Sequence, residues 1–199
     1  LEFRRVLFRS ILLFTNTYQE HLALLEKVLT RLEKAGLKLR PSKCEFLRTE
    51  LKYLGHVINS QGKHVNPKQV EAVKKWPIPQ CVKDVESFLG KVNYYNKFIP
   101  NFSKIAVPLF NLKKKHAKWD FNEECMNAFQ ELKNVLITSP VLSLPDINRE
   151  FILTTDASGH GLGAVLSQQF LAGEKPIAYA SRALHDAEWN YSNIEREAL

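Results

Sequence analysis

Asp156 ends an apolar run, Phe151-Ile152-Leu153-Thr154-Thr155-Asp156. A glycine-rich turn, Ser158-Gly159-His160-Gly161, follows, and a second apolar run spans Leu162 to Leu166. A carboxylate between two strand-like segments suits a cation ligand held on a rigid sheet, but the spacing alone favours a plain hairpin aspartate. Glu197 lies in a helix start, where Ser192-Asn193-Ile194-Glu195 forms a capping box and begins the helix near Asn193. The capping position suits Glu195 to a structural role, and from the residues alone Glu197 reads as a solvated helix carboxylate. A second group is basic and aromatic. Lys83, Ser87, Gly90, Lys91, Tyr94 and Lys97 recur at three- and four-residue spacing and so share one side of a helix. Glycine in a helix interior costs about 1 kcal/mol relative to alanine. Gly90 therefore fits either close helix–helix packing or the approach of a groove to the backbone, with lysines beside it for phosphates.

The elements that must position these residues follow from local chemistry. Ile11 to Phe14 reads as a short strand. Thr17 to Glu20 fits a capping box, Leu22, Leu25, Leu29 and Leu32 follow at helical spacing, and Gly36 ends a helix over 18–35. Cys44 to Ile58 reads as two short strands, the second being Lys52 to Ile58, with a turn at Ser60-Gln61-Gly62. Asn66-Pro67 starts a helix whose apolar face is Val70, Val73 and Trp76, and Pro77-Ile78-Pro79 ends it. A third helix spans Asp84 to Phe98, with Val85, Phe88, Leu89, Val92 and Tyr95 inward. Pro108 and the Lys113–Lys115 run belong to a basic linker or short helix. A fourth helix covers Asn122 to Leu136, and Pro140 and Pro145 mark an extended connector into the Asp156 strand. Trp76, Trp119 and Trp189 read as core or interface anchors, and His56 and His64 as surface or packing residues.

The bulk properties are those of an ordinary globular chain, with 199 residues, 45% hydrophobic and 25% charged. The net charge of +7 is compatible with nucleic-acid binding. Cys44, Cys81 and Cys125 are scattered, without a C-x-x-C, which argues for free thiols and against a zinc site. No apolar run reaches membrane-spanning length, and Arg9 interrupts any signal-peptide core. Leu1 to Ser10 resembles a translated sequencing adapter and is expected to be foreign. Without its Glu2, Arg4, Arg5 and Arg9 the net charge is +5.

An ordered set of motifs carries a family resemblance. It runs through Ala35-Gly36-Leu37-Lys38-Leu39, Lys43-Cys44-Glu45-Phe46, Tyr53-Leu54-Gly55-His56-Val57-Ile58, Phe88-Leu89-Gly90 and Asn93-Tyr94-Tyr95. It continues through Pro140-Val141-Leu142, Thr155-Asp156-Ala157-Ser158, Gly163 to Gln168, Pro176 to Arg182 and Glu197-Ala198-Leu199. Over 11–199 the chain resembles the pol polyprotein of gypsy-type long-terminal-repeat retrotransposons, in which a reverse transcriptase precedes a ribonuclease H. The resemblance implies an α+β fold with 11–65 as a palm remnant, 66–118 as a helical thumb and 119–149 as a connection. Residues 150–199 would then open a ribonuclease-H-like mixed sheet.

Leu54, Gly55 and His56 would belong to the primer grip, and Gly90, Lys91 and Tyr94 to the thumb helix that follows the minor groove of an RNA–DNA hybrid or template–primer duplex. Asp156 and Glu197 would be the first two of four acidic ligands for two Mg2+ ions, the others being expected beyond Leu199. The family's Tyr-x-Asp-Asp polymerase motif is replaced by Leu7-Phe8-Arg9-Ser10. Two-cation phosphoryl transfer needs carboxylates holding the ions about 3.5–4 Å apart, so the chain alone is expected to lack polymerase activity. The expected partners are the nucleic-acid duplex and the remainder of the polyprotein, with no membrane, inside the cell in a cytoplasmic particle or the nucleus. A reading from another class is a non-catalytic nucleic-acid-binding module derived from such an element.

Overall fold

The computed structural model describes residues 11–15, 17–114, 117–159 and 161–199. The expectations for Leu1–Ser10, for Lys115 and for His160 in the turn lie outside the described residues. The chain forms two compact units, divided between Arg48 and Thr49.

In the first unit, α1 (Tyr18–Lys34) starts at the expected capping box. The Thr17 hydroxyl accepts from the Glu20 amide, and the Glu20 carboxylate accepts from the Thr17 amide, both at 3.3 Å. The helix closes with Gly36 at φ +68°, Leu37 N–H donating to the Leu32 carbonyl and Gly36 N–H to that of Glu33, each at 2.9 Å. This is a Schellman ending, which glycine permits at low cost.

The second unit begins with three antiparallel strands, β1 (Glu50–Tyr53), β2 (His56–Asn59) and β3 (Gly62–Val65). The expected single strand from Lys52 to Ile58 is instead a hairpin. Leu54 and Gly55, at φ +46° and +73°, reverse the chain so that Tyr53 faces His56. A two-residue turn of this hand favours Asn-Gly, so leucine at its first position hid it from the sequence. Helices α2 (Pro67–Lys74), α3 (Val82–Asn93), α4 (Phe102–Asn111) and α5 (Glu123–Ile137) follow. Asn66 caps α2 through Lys68 N–H at 3.0 Å, and Asn122 caps α5 through Cys125 N–H at 3.1 Å. The expected third helix stops at Asn93, and Asn96–Phe98 form a 3-10 turn. The stretch around Pro108 is the ten-residue α4.

These helices enclose one core with Val65 and Leu142. Val73, Val85, Phe88, Phe98, Phe129 and Leu136 are almost fully buried in it, and the Phe88 and Phe129 rings lie 4.5 Å apart. The inward positions expected on α3 are all buried. The connector after α5 pairs Leu142 with Lys63 through N–H···O bonds of 2.7 and 3.0 Å, and Ser143 N–H reaches the Pro176 carbonyl at 2.8 Å. It thereby ties β3 to the second sheet.

The second sheet is an antiparallel meander of β4 (Ile152–Ala157), β5 (Gly161–Phe170) and β6 (Gly173–Ala183). Gln168, with no exposed surface, clamps the turn leading into β4. Its amide donates to the carbonyls of Asp146 at 2.8 Å and Arg149 at 3.1 Å, and its carbonyl accepts from Asp146 N–H at 2.9 Å. The short α6 (Asn193–Glu197) starts at the expected Ser192–Glu195 capping box and lies against β4.

Candidate nucleic-acid interface and carboxylate pair

The two sets of candidate binding residues, separated by more than thirty positions in sequence, meet at one place. Tyr94, at the C-terminal cap of α3, donates its hydroxyl to the Leu54 carbonyl at 2.6 Å. The Tyr95 hydroxyl donates to the Gly55 carbonyl at 3.1 Å. The His56 ring stacks on Tyr94 at 5.6 Å and on Phe98 at 5.5 Å, and meets Tyr95 edge-on at 5.4 Å. Hairpin tip and helix end are therefore one aromatic-bonded body. Leu54 is nonetheless 62% exposed and Tyr94 54% exposed. A left-handed leucine costs about 1–2 kcal/mol, so an exposed apolar side chain is held out at a strained position.

Gly90 settles one of the two readings left open above. A Cβ built there would meet nothing within 4 Å, so among the described residues nothing packs on it. Bare helix backbone faces outward, with exposed Ser87 and Lys83 before it and Tyr94 after it. Lys91, beside Gly90, is half-buried and donates its ammonium to the Gln69 side-chain carbonyl.

The charges that act on His56 and Lys63 in the hairpin are cationic. Burial, with Lys63 and Lys97 nearby, lowers the His56 pKa to about 4, so the imidazole is neutral near pH 7. Burial and Lys97 also push the Lys63 ammonium below its ordinary value, and Lys63 lies over the Phe98 ring at 5.7 Å. Cations that disfavour one another's charge gain when a phosphate arrives.

Asp156 sits on β4 opposite Gly163 of β5, which pairs with Ser181 of β6. Residues paired in one row share a face of the sheet, and this face meets the start of α4. Ser181 Oγ accepts from Ser103 N–H at 2.9 Å and donates to Ser103 Oγ at 3.1 Å. Asp156, Ser158, Gly163, Ser181, Asn101 and Lys104 line a narrow cavity of about 20 Å³. A Cβ at Gly163 would stand 2.9 Å from Asn101 Oδ1, so a side chain there would displace the Asn101 amide. Sequence reasoning missed Asn101, Ser103, Lys104 and Ser181, because only the tertiary fold brings α4 to this row.

Glu197 is on α6, beside β4, and is exposed. Glu195 is engaged as expected, its carboxylate accepting from Ser192 N–H at 2.7 Å, a bond that lowers its pKa. Among the described residues no three His, Cys, Asp or Glu side chains gather closely enough to hold a metal ion. The residues present thus do not by themselves make a two-cation site. Cys44, Cys81 and Cys125 are free thiols, and Cys125 is buried.

Residues 121–199 match the family of the RNase H-like domain found in reverse transcriptase, and residues 10–58 match the reverse transcriptase (RNA-dependent DNA polymerase) family. The retrovirus-related Pol polyprotein from transposon 297 of Drosophila melanogaster is 45% identical over 191 residues, covering 96% of this chain and 18% of that one. The corresponding protein from transposon gypsy is 37% identical over 202 residues, covering 96% and 19%. The transposon Tf2-7 polyprotein of Schizosaccharomyces pombe is 35% identical over 191 residues, covering 96% and 14%. The chain thus spans less than a fifth of these curated relatives' length.

Among solved structures, the foamy viral protease-reverse transcriptase dRH in complex with double-stranded DNA superposes with a TM-score of 0.79 at 28% identity, covering 92% of this chain and 32% of that one. The foamy viral protease-reverse transcriptase with an RNA/DNA hybrid gives 0.77 at 28%, covering 92% and 25%. The ordered motifs, the fold and these identities agree: the chain belongs to the Pol polyproteins of long-terminal-repeat retrotransposons, as a segment of their reverse transcriptase and ribonuclease H.

Proposed function

We propose that the hairpin tip Leu54-Gly55-His56 and the outer face of α3, with Gly90, Lys91 and Tyr94, form one surface that binds a template–primer duplex or an RNA–DNA hybrid. The observation that carries this reading is the bare backbone at Gly90, open to solvent on the same helix whose end holds the hairpin. A duplex groove can approach such a backbone closely, while lysines neutralise phosphates and release counterions. Two of the solved relatives hold double-stranded DNA and an RNA/DNA hybrid, which supports the same class of partner here. On this reading residues 11–65 are palm, 66–118 thumb, 119–149 connection and 150–199 ribonuclease H.

Asp156 and Glu197 take the positions of two Mg2+ ligands in the complete ribonuclease H of the polyprotein. Asp156 and Glu197 would hold such ions only together with further carboxylates of that domain, and the ions would supply activation of a water for hydrolysis of the RNA strand. Within this chain Asp156 contributes a carboxylate fixed by strand pairing, and α6 brings Glu197 alongside. The setting is intracellular, with the rest of the polyprotein as partner. Among the described residues no helix is long and apolar enough to cross a membrane.

A second reading, a non-catalytic nucleic-acid-binding module, is favoured by one observation. Tyr94 joins α3 to the hairpin tip through Leu54 and His56, a contact that does not involve Asp156 or Glu197. The test common to both readings is affinity for a labelled hybrid. Gly90→Val should weaken binding while the circular dichroism spectrum is kept, and unchanged affinity would sink the interface.

A further inference from the structure

Two consecutive tyrosines hold two consecutive carbonyls. Tyr94 bonds the Leu54 carbonyl at 2.6 Å and Tyr95 bonds the Gly55 carbonyl at 3.1 Å. Both turn residues are left-handed, at φ +46° and +73°. Gly55 is suited to this, and it leaves room as well: a Cβ there would stand 3.0 Å from the Tyr95 hydroxyl. Leu54 is not suited to it. Asparagine would adopt the same conformation at lower cost, and the leucine side chain gains little burial in return. A hairpin selected only for its own stability would not place leucine there.

We propose that Tyr94 and Tyr95 are positioning residues, a paired clamp that holds the strained Leu54-Gly55 turn so that the Leu54 side chain meets the sugar and base edges of a duplex lying along Gly90. The inference rests on reading this face as the nucleic-acid interface. Tyr95 is the discriminating member. It is 1% exposed, so it cannot touch the duplex, and its removal can act only through what it holds. Burial also raises its pKa, which keeps the hydroxyl a donor throughout the neutral range. The neutral His56 ring, packed against both tyrosines, fixes their orientation.

The test uses the full chain, a fluorescein-labelled RNA–DNA hybrid and anisotropy titrations at several salt concentrations, with thermal unfolding of each variant in parallel. Tyr95→Phe should lower affinity roughly three- to tenfold, as expected for one lost hydrogen bond, with the slope against log salt unchanged because no phosphate contact is removed. Leu54→Asn should raise the thermal midpoint and lower the affinity, and a loss of binding through unfolding cannot produce those opposite signs. If Tyr95→Phe and Leu54→Asn bind like the wild type while Gly90→Val weakens binding, the clamp is overturned and the interface stands. A Leu54→Asn chain less stable than the wild type also overturns it, because the turn is then not strained. If Gly90→Val too binds like the wild type, the interface reading falls and the inference with it.

Discussion

Ser181 caps a helix through a residue 78 positions before it: its hydroxyl accepts the Ser103 N–H at 2.9 Å. Ser103 is in the first turn of α4, where amides lack partners within the helix. Asn101 holds the N-cap position at φ +53° but makes no side-chain capping bond. The second sheet therefore supplies the cap, which seats α4 on the face carrying Asp156.

Ser181→Ala should destabilise the chain by about 1 kcal/mol, the usual effect of removing a cap. Urea unfolding measures it. In the double variant with Ser103→Ala the two effects should sum to more than the double loss, because the residues share a bond. Strict additivity would mean that the bond between the two hydroxyls contributes nothing, and an unchanged stability of Ser181→Ala would mean that its hydroxyl is not the cap.

Gly62 and Gly90 should respond in opposite ways to alanine. A Cβ at Gly62 would lie 2.2 Å from the Leu142 carbonyl oxygen, on backbone at φ +138°. Gly62→Ala should therefore cost more than about 2 kcal/mol through clash and strain. Gly90 has open space, so Gly90→Ala should gain about 0.5–1 kcal/mol of helix propensity. Calorimetry of the two variants checks the contrast, and a destabilised Gly90→Ala would contradict the open helix face.

Acid should unfold the chain in two separable steps. The His56 pKa is lowered from 6.5 to about 4, so its contribution is full above pH 6.5 and is lost as pH falls toward 4, where the unfolded chain takes up the proton first. The Glu188 pKa is lowered from 4.5 to about 2, first by its bond to Arg182 and then by the amide of His185. Arg182 holds that carboxylate by two contacts of 2.7 and 2.9 Å. This contribution is present above pH 4.5 and is lost as pH falls toward 2. His56→Phe should remove the upper step alone, and Glu188→Gln the lower one. Urea midpoints from pH 7 to pH 2 decide it.

Local chemistry made much of the fold legible. The Thr17–Glu20 and Ser192–Glu195 boxes, the Asn66-Pro67 start and the Asn122 cap are bonds within four residues, and each stands where the sequence places it. The inward face of α3 was equally plain from its spacing. What sequence could not show depends on distant partners. The stretch around Pro108 reads as a linker or a short helix, and it is the helix α4 because Phe102, Ala106 and Leu109 bury themselves and Ser181 completes its first turn. The strand Gly62–Val65 is held by Leu142, far along the chain. The approach of Leu54 to Tyr94 is likewise a tertiary bond, so the two halves of the proposed interface read as separate motifs.

In a polypeptide carrying a complete ribonuclease H domain, Asp156→Asn should abolish Mg2+-dependent cleavage of hybrid RNA while leaving hybrid affinity unchanged, because the residue lies apart from the α3 surface. Full cleavage by that variant would remove Asp156 from the ligand set.

The most direct test of the interface is amide hydrogen exchange of the full chain with and without an RNA–DNA hybrid. The account predicts new protection at the Leu54–His56 tip and along the outer face of α3 through Tyr94, with β4 to β6 unchanged. Protection confined to the second sheet, with the hairpin tip and α3 exchanging as in the free chain, would contradict it.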